Sequence, residues 1–178
     1  ASTSTLSGVI LAGQSNVAVT SLALKTDSGL YATDRITNTV DLVGAASGQK
    51  VLVALDPVGT PTYSSVGVTP NAKDGGFTIS RAILDSLAAG TLADGPHTVS
   101  VVAEDAFQNR STPATITFTL DSSKPSAASL RIAAADAVDA DGVQTAAAKA
   151  ALVGSAEPGA SVVVNGSLTA LVGPTGTF

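Results

Sequence analysis

Two segments that alternate strictly between apolar and polar residues constrain this chain more than any other feature. In His97–Ala103 and in Thr115–Leu120, apolar side chains occupy every second position. A period of two is the period of a β-strand with one buried face. The polar segment Glu104–Pro113 separates the two and is typical of a hairpin loop. The pattern predicts an all-β fold built as an antiparallel sandwich.

The remaining strands are predicted from short apolar segments bounded by turn residues, namely Ser21–Leu24, Lys50–Leu55, Tyr63–Val68 and Phe77–Ser80. Lys50–Leu55 is almost continuously apolar, which favours a strand buried on both faces. Ala82–Ala89 alone has helical spacing, and Gly90 stands where a C-cap is expected.

Composition limits both the core and the partners. The chain is 44% hydrophobic but 3% aromatic, so aliphatic residues must fill the core, with Phe77, Phe107 and Phe118 as its few large side chains. The chain has no Cys, which excludes disulfides and thiolate sites. Scattered Lys and Arg and a net charge of −5 argue against nucleic acid and anionic membrane surfaces. No apolar run is long enough for membrane insertion.

The chain repeats itself after 108 to 110 residues. The matching pairs are Ser129–Ile132 with Ser21–Leu24 (offset 108), Ala151–Ala156 with Asp41–Ala46 (offset 110), and Ser161–Val164 with the strand at Val51. This period is that of tandem immunoglobulin-sized units. After Val164, Asn165-Gly166 predicts a type I′ hairpin turn.

The repeat predicts four parts: residues 1–20, a sandwich at 21–121, a Pro-containing linker at 122–128 and a partial second sandwich at 129–178. In the first part, Val9–Ala12 is expected to be a strand of a preceding unit or an added edge strand. The second sandwich stops half-way, so we expect either a cut chain or completion by strands from residues 1–20 or another chain. The absence of Met at position 1 predicts a processed product or a piece of a larger protein.

A polar loop, Lys25–Val43, interrupts the apolar first part of the chain, and we call it the first polar loop. Its candidate calcium ligands are Asp27, Asp34 and Asn38, because Ca²⁺ prefers carboxylate and amide oxygens. The loop is expected at the end of the sandwich where the chain leaves, so Asp94 or Asp121 is predicted to complete the site. The alternative is a solvated turn loop without an ion, since Asp also favours turns.

Two further candidate cation sites lie elsewhere. Asp105 and Asn109 share the hairpin loop between the alternating strands. Asp139 and Asp141, followed by Gly142, form part of an EF-hand-like ligand set without its closing Glu. They lie in a weaker copy of the first loop, Ala133–Val153, which we call the second polar loop. Turns without an ion are the alternative in both places.

No arrangement of residues predicts catalysis. His97 is the only imidazole, stands at a strand edge without a matching nucleophile and is expected to have no role. A glycosidase needs two carboxyl groups whose surroundings give them different pKa values. Nothing in the sequence predicts such a difference among Asp85, Asp94 and Glu104. Tyr31, with one other Tyr and no Trp, makes a poor sugar-binding surface. We therefore predict that the chain is not an enzyme.

Three parts of the chain resemble the bacterial immunoglobulin-like (BIg or Bap-type) tandem repeats of large surface adhesins and biofilm proteins. They are Thr26–Gly29 with Thr33–Asn38, Leu92–Val99 with Ala103–Ser111, and Gly154–Val162. They resemble the family's Asp-x-Gly…Asp-x-Ile-Thr-Asn loop and its Gly-Thr-Ala-Glu-Pro-Gly-Ala-x-Val motif. Phe107-Gln108, where the family has Ala-Gly, and Ala134–Thr145, which lacks Ile-Thr-Asn, depart from the pattern. The resemblance covers about residues 21–178 and implies β-sandwiches in long arms, often stiffened by Ca²⁺ near domain junctions.

The expected function is therefore a structural or adhesive spacer, extracellular or at the cell surface and stiffened by calcium. Its expected partners are neighbouring repeats or copies of the same chain, with a surface glycan or protein as a further candidate. One alternative is a self-assembling fibre subunit completed by strand donation between chains. Another is an accessory or carbohydrate-binding module of a secreted enzyme.

Overall fold

A computed structural model describes residues 16–29 and 31–178, so the predicted strand Val9–Ala12 lies outside the described residues. The strands are β1 (Val19–Leu24), β2 (Ile36–Thr37), β3 (Leu42–Ala46), β4 (Lys50–Leu55), β5 (Ser64–Val68), β6 (Gly76–Ile79), β7 (Gly95–Glu104), β8 (Ala114–Leu120), β9 (Ser129–Ile132), β10 (Leu152–Ser155), β11 (Ser161–Val164) and β12 (Leu168–Leu171). The helix α1 spans Arg81–Leu87. Within the described ranges, no helix has the length and apolarity needed to cross a membrane.

Over residues 16–29 and 31–178 the strands form four sheets, and the predicted all-β class is confirmed. One sheet has the order β1-β3-β6, and a second has the order β2-β8-β7-β4-β5. The pairs β9–β10 and β11–β12 form two-stranded antiparallel sheets. β2 departs from the antiparallel pattern, because it pairs with β8 in parallel.

Contacts between Cα atoms divide the chain into two compact units. The first contains the described residues up to Lys25 together with Val40–Phe118. The second contains Thr26–Thr39 and Thr119–Phe178. Most of the first polar loop therefore belongs to the second unit by its contacts. The domain bounds drawn from the repeat stay a prediction.

The core of the first unit is aliphatic, as composition predicts. Its fully buried side chains come from both large sheets and from the helix, and include Leu42, Ile79, Val53, Val101 and Leu84. Full burial of a Val or Leu side chain is worth about 1.5–3 kcal/mol relative to exposure. Phe77 and Phe118 join this core, with 6% and 2% of their surface exposed.

Phe107 is not in the core, so that prediction is wrong: 85% of its surface is exposed. The cause is local. The carboxylate of Asp105 accepts a hydrogen bond from the backbone N–H of Phe107 at 2.8 Å. Gln108 then takes a left-handed φ of 66°. This tight turn fixes the backbone and leaves the ring outside the sandwich.

The helix is confirmed, but its predicted end is wrong. Ala88 is the C-cap, and Ala89 rather than Gly90 adopts the left-handed φ, at 56°. The turn is fixed beyond the helix, where the backbone N–H of Leu92 donates to Asp85 Oδ1 at 2.8 Å. This hydrogen bond fixes the chain after the helix, so Ala89 takes the left-handed conformation that glycine usually adopts at a helix end.

The sequence repeat is reproduced in strand register. In the β1–β3 pair, Leu22 lies opposite Gly44 and Ala23 opposite Val43. The β9–β10 pair places Leu130 opposite Gly154 and Arg131 opposite Val153. The offsets are 108 on the first strand and 110 on the second, which are the offsets of the sequence matches.

The repeat extends beyond these strands. Gly44 lies opposite Phe77 on β6, and the backbone groups of Gly154 bond Phe178 in both directions at 3.2 Å. In each copy a glycine with positive φ precedes the aromatic residue by two positions, with φ of 73° at Gly75 and 76° at Gly176. Residues 129–178 thus reproduce the pairings made by residues 21–77.

The predicted hairpin turn after β11 is confirmed. Asn165 and Gly166 both take positive φ, 52° and 71°, as a type I′ turn requires. The N–H of Ser167 donates to the carbonyl of Val164 at 3.2 Å and closes the turn.

Candidate cation-binding loop

The first polar loop is folded around its own aspartates. Asp27 Oδ2 accepts a hydrogen bond from the backbone N–H of Arg35 at 2.9 Å. Asp34 Oδ1 accepts one from the N–H of Ile36 at 3.0 Å. Arg35 has a left-handed φ of 60°, so these two bonds hold an unfavourable backbone turn in place. Two of the predicted ligands therefore shape the loop.

Thr37 is the centre of the loop, and the sequence prediction missed it. Only 1% of its surface is exposed. Its Oγ1 lies 2.8 Å from the carbonyl oxygen of Thr39 and 3.1 Å from that of Thr26. Ser28 Oγ is 3.0 Å away and accepts from the N–H of Asn38 at 2.9 Å. Thr37 thus ties both ends of the loop to the predicted ligand Asn38.

The signal that identifies Thr37 is its repeat at Thr145. The N–H of Thr39 lies 3.3 Å from Thr37 Oγ1, and the N–H of Ala147 lies 3.1 Å from Thr145 Oγ1. The two threonines are 108 residues apart, so the second polar loop keeps this threonine although it lacks Ile-Thr-Asn.

Asp27 carries one oxygen that the fold does not satisfy. Its Oδ1 is buried and has no hydrogen-bond partner, whereas Oδ2 is bonded to Arg35. Buried carboxylate oxygens nearly always have a partner, so an orphaned one marks a place for a cation or an ordered water.

Within the second unit, a depression opens beside this loop. Four oxygen-bearing side chains that line it are Asp34, Asn38, Asp121 and Glu157. The N–H of Asp121 donates to the carbonyl of Thr37 at 2.9 Å, so Asp121 adjoins the loop as predicted. Asp94 is an exposed residue of the turn before β7 and belongs to the first unit. Glu157 was not predicted as a ligand, because it lies outside both polar loops in the sequence.

These side chains do not form a ready-made metal cluster. Over residues 16–29 and 31–178, no three His, Cys, Asp or Glu side chains lie close enough together to hold an ion. A calcium ion here would need carbonyl oxygens, the Asn38 amide and water besides carboxylates, and Ca²⁺ accepts all of these.

Asp105 and Asn109 come together in the hairpin loop, as predicted. Asp105 Oδ1 accepts from the N–H of Asn109 at 2.9 Å, and Oδ2 accepts from the Asn109 side-chain amide at 2.9 Å. The carboxylate thus closes the turn by itself. Both carboxylate oxygens of Asp105 accept hydrogen bonds from Asn109, whose side chain takes part through its nitrogen and not through its oxygen.

Asp139 and Asp141 lie in the second polar loop. Asp139 Oδ1 accepts from the N–H of Val143 at 2.9 Å, while Asp141 is exposed. Asp136, which the prediction left out, accepts from the N–H of Ala151 at 2.9 Å and ties the two ends of the loop. The second loop is therefore closed through aspartates at different positions from those of the first.

Residues considered for catalysis have structural partners. His97 Nδ1 lies 2.7 Å from Asp56 Oδ2, and Nε2 lies 2.8 Å from the carbonyl oxygen of Ala93. Burial lowers the pKa of His97, but the bonds to Ala93 and Asp56 outweigh it, and the pKa is raised. The ring of His97 thus links a strand end to a turn, and the expectation that it has no catalytic role stays a prediction.

Asp85 and Glu104 are two carboxyl groups whose pKa is lowered, which favours their ionised form. A hydrogen bond from the N–H of Leu92, with the Arg81 side chain, lowers the pKa of Asp85. Bonds from Lys50 and Arg110, at 2.7 and 2.8 Å, lower the pKa of the buried Glu104. A glycosidase acid needs a raised pKa, so neither group is suited to that task.

Comparison with known proteins gives solved structures that are similar to this chain, but no family. No protein-family profile matches the chain, and no curated protein matches it. One similar structure is the tetra-tandem repeat in the extending region of a large adhesion protein, at 22% identity and a TM-score of 0.35. Another is a Ca²⁺-stabilized adhesin that helps an Antarctic bacterium reach out and bind ice, at 20% identity and a TM-score of 0.28.

Each match covers 91% of this chain, which spans 40% of the first structure's chain and 39% of the second's. TM-scores this low do not establish a common arrangement. The fold and function of this chain therefore rest on its own residues.

Proposed function

We propose that this chain is a structural repeat segment of an extracellular or surface-exposed adhesive protein, where it acts as a spacer. The observation that supports this best is the register of β9–β10, which copies that of β1–β3 at the offsets of the sequence repeat. Tandem units of one fold build extended arrays in which each unit sets length and spacing. The resemblance to adhesin repeats points to the same role.

The first unit has the interactions that a load-bearing module needs. β4 and β7 pair over six successive positions, from Lys50 opposite Glu104 to Leu55 opposite Val99. Glu104 anchors one end of this pair to Lys50 and to Arg110. We expect this long antiparallel pair, closed by ion pairs at one end, to break in one cooperative step when the chain is pulled.

Pulling a single molecule by its two ends tests the spacer role. We expect the first unit to unfold in one discrete step, with a length gain of roughly 3.3–3.6 Å per unfolded residue. Gradual extension without such a step would contradict a load-bearing role.

We further propose that calcium binds at the first polar loop through Asp27 Oδ1, with the Asn38 amide, backbone carbonyl oxygens and water as further ligands. Support comes from the orphaned buried oxygen of Asp27. Asp34 and Asp121 line a depression beside the same loop and add negative charge near it. An ion there would offset the repulsion between the carboxylates and hold the loop against the segment after β8. Binding to the folded state alone stabilises it, by about 2.7 kcal/mol when the free ion is at 100 times its Kd.

Thermal unfolding with and without calcium tests this second proposal. We expect EDTA to lower the Tm and excess Ca²⁺ to restore it, and Asp27→Asn to remove most of the response. Asp74→Asn is the matched control, because Asp74 also closes a turn, by accepting from the N–H of Gly76 at 2.9 Å. A Tm that does not change with Ca²⁺ would refute the calcium site. It would not bear on the spacer role, which the pulling experiment tests.

Glycan binding is a second candidate function, favoured by one observation. Tyr31 is 57% exposed and lines the same depression as Asp34 and Asn38, so an aromatic face and polar groups adjoin. Tyr63 is not available in this way, because its hydroxyl bonds Ser100 Oγ at 2.9 Å. Binding on a glycan array that Tyr31→Ala abolishes would support this function, and an array without binding would exclude it for the glycans tested.

A further inference from the structure

Asn165 and Gly166 form the tip of the hairpin between β11 and β12, and both residues are exposed. Asn165 is the one asparagine of the chain that precedes a glycine. The carbonyl carbon of an asparagine side chain can be attacked by the backbone nitrogen of the next residue. A glycine at that position leaves the approach open, because it has no Cβ. The tip of this hairpin thus carries the asparagine that is most open to such an attack.

Neither of the two reacting groups is held by a hydrogen bond. Within residues 16–29 and 31–178, the Asn165 side chain and the Gly166 N–H have no hydrogen-bond partner. The turn is closed one residue later, where the N–H of Ser167 donates to the carbonyl of Val164 at 3.2 Å. The side-chain amide can therefore turn towards the Gly166 nitrogen without breaking a hydrogen bond.

The other asparagines are less open to this reaction. The side chains of Asn38, Asn71 and Asn109 each make a hydrogen bond of 2.8 or 2.9 Å. They are followed by Thr, Ala and Arg, and Asn16 is followed by Val. Each of these following residues carries a Cβ that crowds the approach of its own nitrogen. A free side chain and a following glycine thus occur together at Asn165.

The exposure of the tip does not depend on the strands that flank the hairpin. In the first copy, β4 is the counterpart of β11 and is paired on both edges, with β5 and β7. The connection that follows β4 is nevertheless exposed, with Val58 at 95%. A connection at the end of a strand pair therefore stays at the surface when the sheet beside it is complete.

We propose that Asn165-Gly166 is a site of spontaneous deamidation, with water as the co-reactant. The Gly166 nitrogen gives its proton to a solvent base and forms a bond to Cγ of Asn165. The bond between Cγ and Nδ2 then breaks, and the nitrogen leaves as ammonia with a proton taken from water. The product of this step is a cyclic succinimide that joins the side chain of Asn165 to its own backbone.

Water then opens the succinimide at either of its carbonyl carbons. Breaking the bond between Cγ and the Gly166 nitrogen leaves aspartate. Breaking the bond between the main-chain carbonyl carbon and that nitrogen leaves isoaspartate, whose backbone runs through Cβ and Cγ. In both cases an amide and water become a carboxylate and ammonium, so nothing is oxidised or reduced.

The two products affect the hairpin differently. Aspartate tolerates the left-handed φ of 52° that Asn165 adopts, so this product keeps the turn and adds a negative charge. Isoaspartate inserts a methylene group into the main chain and lengthens the two-residue turn. Since loop length fixes the register of a hairpin, the lengthened turn no longer brings Val164 opposite Leu168. The fraction converted therefore records the age of the molecule and reports on the pairing of β11 with β12.

Ageing the 178-residue protein in ¹⁸O-labelled water at mildly alkaline pH, followed by peptide mass spectrometry, tests the site. We expect the peptide that contains Asn165 to exchange its amide for a carboxylate carrying solvent ¹⁸O before any other asparagine does so. The isoaspartate fraction should accept a methyl group from a protein isoaspartyl methyltransferase. A synthetic peptide of residues 163–168, aged in parallel, shows when an unfolded chain is fully converted.

Two variants serve as controls. Asn165→Gln should abolish the labelling of this peptide, because ring closure through the longer side chain is much slower. Asn165→Asp should keep the cross-strand nuclear Overhauser effect between Val164 and Leu168, which the isoaspartate product loses. An unconverted Asn165 in protein aged until the synthetic peptide is fully converted would overturn the proposal, and so would equal conversion of Asn71. The inference does not depend on the spacer role, which all these outcomes leave untouched.

Discussion

At the scale of single residues, His97 makes the sharpest prediction, because it is the only histidine in the chain. Both ring nitrogens face oxygen acceptors, Asp56 Oδ2 and the carbonyl of Ala93. A neutral imidazole donates from one nitrogen, whereas the imidazolium donates from both. The raised pKa of His97 in the folded state expresses this preference for the proton.

The preference has a definite sign. A folded-state pKa above the unfolded value contributes stability that is present in full below the unfolded pKa of about 6.5 and is lost as the pH rises through the folded pKa. We expect the Tm to fall over this window in the unmodified protein and to change less with pH in His97→Gln. Equal pH profiles for the two proteins would contradict the prediction, and NMR titration of the single imidazole would give the pKa directly.

Residue positions also mark where prediction from sequence fails. Phe107 was predicted to be buried because it is large and apolar, but the Asp105 carboxylate fixes the turn that exposes it. Thr37 was overlooked because a lone threonine in a polar loop carries no periodic signal. Its importance comes from hydrogen bonds made in the folded loop. The one sequence signal for it is that a threonine recurs 108 residues later, at Thr145.

At the scale of elements, a glycine stands in each strand pair where the backbone passes close to a phenylalanine ring. A Cβ added at Gly44 would collide with the Phe77 ring and the Ser21 carbonyl oxygen. We expect Gly44→Ala to destabilise the first unit by about 1–3 kcal/mol, the usual cost of overpacking. Chemical denaturation followed by circular dichroism measures this change.

Gly90→Ala is the matched control, since a Cβ there meets nothing within 4 Å. It should be neutral or stabilising by up to about 1 kcal/mol, through the unfolded state. If both alanine variants had the same stability, close packing at Gly44 would not matter.

The elements predicted correctly are those whose pattern is set by burial. β4, β7 and β8 lie close to their predicted bounds because a sandwich core imposes a period of two or a continuous apolar run. β2 was missed because two residues held by pairing to Thr119 and Leu120 have no pattern of their own. The end of α1 was wrong because Asp85 and the N–H of Leu92 fix the chain beyond it.

At the scale of the whole molecule, the repeat is what the sequence predicted most securely. Its offsets of 108 and 110 reappear as the register of two separate strand pairs. The polar loops diverge between copies, since Asp27 has Ala135 as its counterpart and the second loop is closed by Asp136 and Asp139. We infer that the strand pairs are the part that is repeated and that the two copies differ in the residues that close their polar loops.

Cross-strand nuclear Overhauser effects in the ¹³C,¹⁵N-labelled protein test the repeat most directly. The account predicts effects between Leu130 and Gly154 and between Arg131 and Val153, matching those between Leu22 and Gly44 and between Ala23 and Val43. Effects displaced by one residue in β9–β10, or none in residues 129–178, would contradict it.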